Sequence, residues 1–301
     1  MTNRSGSGIS RPAGRPGMRH TLSPLSALSP LSRTVLAVGA GLGGATAAGA
    51  AAVYLFKAQG RVARRRIGIP LGEQAPAADR RYKHSFGDPF DLVVLGDSIA
   101  AGLGAERPRD TLGARLARGL AKRTQRSVRL RTAAVVGSES SALASQLASL
   151  EEGYRPLLAV IVVGGNDVTH GISPVLAARH LRETIQALQE RGSRIVVGTC
   201  PDLGALRPVP QPLRSVASIA SRRMAAVQAQ VARDLGTRYV KLGSLVGPMF
   251  REEPETMFAV DRFHPSGTGY RRTAKAMLPA LWEEYQQATG SQPPSPPDAQ
   301  W

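Results

Sequence analysis

From Asp91 onward, short apolar runs alternate with longer stretches of helical periodicity, and this alternation limits the possible folds more than any other feature. Leu92-Val93-Val94-Leu95 has the length and bulk of a strand buried on both faces, and Leu157–Val163 is wholly apolar in the same way. Val128–Val136, Arg194–Thr199 and Arg238–Leu242 complete a set of five expected strands. Helices are expected over residues 111–124, 141–150, 174–190, 213–235 and 266–284. The first carries Leu112, Leu116 and Leu120 at i, i+4 and i+8, and the third begins on Pro174, a favoured first-turn residue. No hairpin signal joins any two strands. The pattern specifies an α/β domain with a five-stranded parallel sheet covered by helices on both faces.

In such a sheet all strands end on one edge, so the residues that follow them gather there. Gly96-Asp97-Ser98 follows the first strand, Gly137 the second, Gly164-Gly165-Asn166-Asp167 the third and Cys200-Pro201-Asp202 the fourth. Gly, Asp and Ser are ordinary turn residues, so Ser98 acquires meaning only with partners. Acyl transfer needs a nucleophile, a base, a group that orients the base, and donors for the developing oxyanion. The five histidines are His20, His84, His170, His180 and His264. His20 lies in a basic tail, His84 in a linker and His180 in the middle of a helix. His170 follows the third strand and is a candidate substrate contact. His264 stands in Asp261-Arg262-Phe263-His264-Pro265, where an acid three residues earlier can turn back onto Nδ1–H. Asn166 is one of two asparagines; its amide can donate to an oxyanion, or it can simply form a turn.

These blocks, in this order, resemble those of the SGNH hydrolases, also called GDSL-type esterases and lipases. The likeness covers about residues 90–287 and rests on Gly96-Asp97-Ser98, Gly137, Gly164-Gly165-Asn166-Asp167 and Asp261-Arg262-Phe263-His264. It implies a flavodoxin-like three-layer α/β/α fold and hydrolysis of esters or thioesters. Ser98 would be the nucleophile, His264 the base and Asp261 its orienting acid. The backbone N–H groups of Ser98 and Gly137 and the Asn166 side chain would form the oxyanion hole. No metal or cofactor is implied. The Ala- and Arg-rich helices and basic N-terminal segment are similar to those of actinobacterial members. Gly96-Asp97-Ser98 is not a GxSxG elbow, which argues against an α/β-hydrolase.

The formal net charge of +17 raises the question of nucleic acid. Residues 1–83 hold 13 of the 39 Lys and Arg but only Glu73 and Asp79 among the acids, so most of the excess is N-terminal. No nucleic-acid motif accompanies it, and its neighbour is an apolar run, which points to anionic lipid instead. Residues 1–33 read as a disordered basic segment. Thr34–Phe56 is uncharged and long enough to span a bilayer, and is expected to be an apolar helix that anchors the chain. Ala45-Thr46-Ala47 and Ala48-Gly49-Ala50 also resemble signal-peptidase sites, which keeps a cleaved signal open and leaves the membrane side undecided. Gly39–Gly44 fits GxGxxG, but no acid follows at dinucleotide-binding distance; the same glycines suit close helix packing. Residues 57–90 read as a basic linker, 91–288 as the hydrolase domain and 289–301 as a Pro-rich tail. Cys200 is the single cysteine, which excludes an intrachain disulfide. The Leu203–Pro212 connection could line an acyl or alcohol pocket.

The function expected is a membrane-anchored serine esterase acting on small-molecule or lipid-like esters. A carbohydrate deacetylase is the alternative within enzymes. An idle, membrane-anchored binding domain is the alternative of another class.

Overall fold

The computed structural model describes residues 51–72 and 74–290. The basic segment 1–33, most of Thr34–Phe56 with its glycine-rich run, and residues 291–301 lie outside the described residues, so the expected N-terminal apolar helix does too. Among the described residues no helix is long and apolar enough to cross a membrane. The chain divides into two compact units, Met1–Leu55 and Phe56–Trp301. Of the first, residues 51–55 are described and helical; the second holds the sheet.

Six strands form that sheet: β1 (Arg81–Tyr82), β2 (Gly87–Gly96), β3 (Arg126–Thr132), β4 (Leu158–Val162), β5 (Arg194–Gly198) and β6 (Arg238–Val240), in the order β1-β3-β2-β4-β5-β6. All neighbours are parallel except β1, which pairs antiparallel with β3. The five expected strands are all present, and leaving out β1 their order is that of flavodoxin-like folds. The sheet is not five-stranded, however. The sixth strand comes from the stretch read as linker, where two residues, Arg81 and Tyr82, pair with Arg129 and Val128. A two-residue strand carries no periodicity from which to read it. The second strand also ends at Thr132, short of the expected Val136.

Alternate residues of the central strands enter two separate cores, as a period of two requires. Leu92, Val94, Leu158, Val160 and Val196 face one side with Leu112, Leu116 and Leu120 of the helix Leu112–Thr124 and with Tyr270, Met277 and Leu281 of the helix Gly267–Thr289. Val93, Leu95, Ala159, Ile161 and Val197 face the other. There they meet Leu143 and Leu147 of Leu143–Ala148, Leu181, Ile185 and Leu188 of Pro174–Glu190, and Val231 of Leu213–Asp234. This is a three-layer α/β/α arrangement. Leu92 to Leu95 are fully buried, each worth about 1.5–3 kcal/mol of apolar transfer.

Candidate active site

The parallel sheet grows from β2 to β3 on one side and to β4 on the other, so the ends of β2 and β4 border the crevice where open α/β sheets bind ligands. Here Gly96 pairs with Val162, and the Asp97 N–H donates to the Val162 carbonyl at 3.0 Å. Gly96 has φ 134°, and a Cβ on it would lie 1.8 Å from the Val162 carbonyl oxygen. Only glycine fits. The chain then turns into α1 (Ser98–Ala101), whose first N–H groups the Asp97 carboxyl caps by accepting from Ile99 at 2.9 Å. Ser98 begins this turn, so its backbone N–H has no partner inside the helix.

The loop before α2 (Gly267–Thr289) brings a histidine back to this serine. His264 Nε2 lies 3.0 Å from Ser98 Oγ, and His264 Nδ1 lies 2.5 Å from Asp261 Oδ2. Asp261 Oδ1 also accepts from the backbone N–H groups of Phe263 and His264, each at 3.0 Å, so one carboxylate shapes the loop and holds the ring. Burial pushes the Asp261 carboxyl up, but the His264 ring and the two backbone donors outweigh it, and it sits below the usual carboxylate range. It is therefore anionic at neutral pH. On the far side Gly104, with φ 100°, packs so closely that a Cβ would meet the Pro265 carbonyl oxygen at 2.4 Å and His264 Cβ at 3.0 Å. The buried Tyr270 hydroxyl donates to the Leu103 carbonyl at 2.6 Å and ties that loop to α2.

The other expected donors, Asn166 and Gly137, follow two other strand ends. Asn166 lies in the short helix Gly165–His170, not in a plain turn, and lines the cavity beside Ser98. Its Nδ2 donates to the Ser138 carbonyl at 3.0 Å, which leaves a second N–H on the same nitrogen. Gly137 follows β3 in a loop drawn toward β2 by a bond from the Val135 N–H to the Gly96 carbonyl at 3.2 Å. Gly137 has φ 83° and is not among the residues lining the cavity.

Sequence reasoning missed two buried amides that fasten these strand ends. Gln146 exchanges two bonds of 2.8 Å with the backbone of Gly96 and donates to Ser138 Oγ at 3.2 Å. Gln228 accepts from the Cys200 N–H at 2.7 Å and donates to the Val163 carbonyl at 2.9 Å, joining the ends of β4 and β5. Each stands on an apolar helix stripe, Gln146 three residues after Leu143 and Gln228 four after Met224. A polar residue on such a stripe is the signal that could have revealed them. Asp167 is a third such group: its carboxylate accepts from the Ser140 N–H and hydroxyl, each at 3.1 Å.

The cavity at Ser98 and His264 is walled by Leu203, Ala205, Leu206, Leu242, Val246 and Phe250, with Phe258 and Phe263 nearer the histidine loop. The Leu203–Pro212 connection thus contributes part of this wall. His170 lies elsewhere: it is exposed, does not line the cavity, and its Nδ1 pairs with Glu139 at 2.7 Å. Cys200 is buried, and its thiol is pushed well up by that burial, which suits a packing role. Asp97 is buried too, and desolvation lifts its carboxyl to about 6 despite N–H bonds from Ile99 and Gly165 and the nearby His264. Among the described residues no three His, Cys, Asp or Glu side chains cluster so as to hold a metal ion.

An α/β/α sheet with a serine at its switch point and histidine and aspartate on a returning loop defines a class of hydrolase. Residues 94–272 match the model of the GDSL-like lipase/acylhydrolase family, and the chain belongs to that family. It is an ester-hydrolysing enzyme. It is 39% identical over 236 residues to the GDSL-like esterase Rv1075c of Mycobacterium tuberculosis, covering 74% of each chain. It is 27% identical to the esterase TesA of Pseudomonas aeruginosa, over 63% of this chain and 87% of that one. A crystal structure of TesA superposes with a TM-score of 0.51 at 25% identity, covering 64% of this chain and 99% of that one.

Proposed function

We propose that the chain is a serine esterase for lipid-like or acylated esters, with Ser98 as nucleophile, His264 as general base and Asp261 as its orienting partner. The single observation that carries this reading is the unbroken contact from Asp261 through His264 to Ser98 at the head of an apolar cavity. His264 Nε2 takes the Ser98 proton as Oγ attacks the ester carbon, then returns it to the leaving alkoxide. Asp261 fixes the tautomer with Nδ1–H toward itself and stabilises the imidazolium that forms. The backbone N–H groups of Ser98 and Gly137 and the Asn166 amide receive the negative charge on the tetrahedral oxygen. Water then repeats the cycle on the acyl-enzyme. No step draws on a cofactor.

The apolar wall from Leu203 to Phe263 favours an acyl chain over a sugar, whose hydroxyls it could not satisfy. Hydrolysis of a p-nitrophenyl ester series tests this: rising kcat/KM from acetyl to medium or long chains supports the lipid-like reading. A maximum at acetyl supports the carbohydrate deacetylase. The uncharged length of Thr34–Phe56 supports retention at a membrane, and protease accessibility in intact cells would give the side.

A further inference from the structure

The chain from Leu203 to Arg233 contains no acidic residue, and neither does the chain from Phe56 to Gly72. These two stretches meet in the fold. Residues 56–67 are helical, and Gln59 on that helix donates from Nε2 to the Gln211 carbonyl at 2.6 Å and accepts from the Leu213 N–H at 3.0 Å. Arg66 adds a bond to the Pro208 carbonyl at 3.4 Å, and Ala63 is buried in the same core cluster as Leu206 and Val209. Gln59 and Ala63, four residues apart, thus face the protein. Lys57, Arg61, Arg64 and Arg65 are exposed, as are Arg222 and Arg223 on the partner helix Leu213–Asp234. Among the described residues none of these six has an acidic partner. On the same two helices Val62, Val216 and Ile219 are exposed and apolar. The stretches 57–72 and 203–233 contain no aromatic residue on which a nucleic-acid base could stack.

We propose that this face docks on an anionic lipid surface. Cations without acids supply the charge complement to such headgroups, and the three aliphatic side chains reach into the headgroup–acyl boundary. The location gives the contact a purpose. The segment that joins the face, Leu203 to Pro212, also walls the catalytic cavity through Leu203, Ala205 and Leu206. An ester drawn from the surface would enter beside its source. This proposal rests on the serine esterase reading for its purpose.

The test is flotation of the full chain with phosphatidylcholine vesicles, with and without phosphatidylglycerol, for wild type, an Arg65→Ala/Arg222→Ala/Arg223→Ala variant and a Val216→Asp/Ile219→Asp variant. Wild type is expected to prefer anionic vesicles, and the triple variant to lose about 100-fold of that affinity, at about fivefold per charge. The aspartate pair should lose it as well. Both should keep wild-type turnover of soluble p-nitrophenyl acetate, which reports intact folding. Equal flotation of wild type and both variants would overturn the proposal, as would tighter binding to random-sequence duplex DNA than to the anionic vesicles. Absence of ester turnover in every form would instead count against the serine esterase reading and leave the docking result to stand by itself.

Discussion

Gln146 holds both backbone polar groups of Gly96: its Oε1 accepts from the Gly96 N–H and its Nε2 donates to the Gly96 carbonyl, each at 2.8 Å. The side chain acts as a substitute strand residue where β2 runs past the end of β3 at Thr132. Gln146→Leu leaves the buried Gly96 N–H unpaired, at about 1–3 kcal/mol, while the Gly96 carbonyl keeps its bond from the Val135 N–H. We expect a stability loss of about 1–3 kcal/mol by urea unfolding. Because Gly96 lies two residues before Ser98, kcat should fall while KM changes little.

A second prediction concerns Asp97. Its carboxyl is lifted from 3.8 to about 6 in the folded chain. Between those values the folded state holds a proton that the unfolded state has released. This group's contribution to stability is therefore full below the unfolded value and is lost as pH rises through the folded one. Asp97→Asn keeps an oxygen for the Ile99 N–H but cannot ionise. Its stability relative to wild type should rise between about pH 4 and about pH 7 in urea titrations. A difference that stays flat across that range would contradict the assignment.

Asn166→Ala removes the amide that is bonded to Ser138 and lines the cavity. If the amide receives the oxyanion, kcat should drop about 100-fold or more with KM nearly constant. Steady-state kinetics on a soluble ester distinguishes this from a binding defect, which would raise KM alone.

Gly104→Ala forces a side chain against the Pro265 carbonyl oxygen and His264 Cβ at positive φ. The histidine loop must shift, so turnover should suffer far more than the bulk unfolding midpoint. Comparing kcat with the thermal midpoint checks it.

Much of this was legible in the sequence. Leu92–Leu95 and Leu157–Val163 read as buried strands because both faces of a central parallel strand are covered, and both are strands. Once the strands are parallel, Ser98 and Asn166 must share an edge, and the cavity holds both. The helix Pro174–Glu190 begins on its proline as expected. Arg81–Tyr82 stayed hidden because two residues have no period. Gln146 and Gln228 stayed hidden because glutamine is ordinary on a helix; their place on an apolar stripe was the one signal, and their partners Gly96, Cys200 and Val163 come only from the fold. The histidine loop lay between: Asp261 and His264 had the right spacing. The contact with Ser98 depends on how Gly104 and Tyr270 pack the returning chain, which no local pattern encodes.

The proposed esterase chemistry turns on Ser98 Oγ as the nucleophile. Labelling with a fluorophosphonate probe tests it most directly. One covalent adduct is expected on wild type, located to Ser98 by mass spectrometry, and none on Ser98→Ala. His264→Ala should label far more slowly. Wild type that does not label, or Ser98→Ala that labels as wild type does, would contradict it.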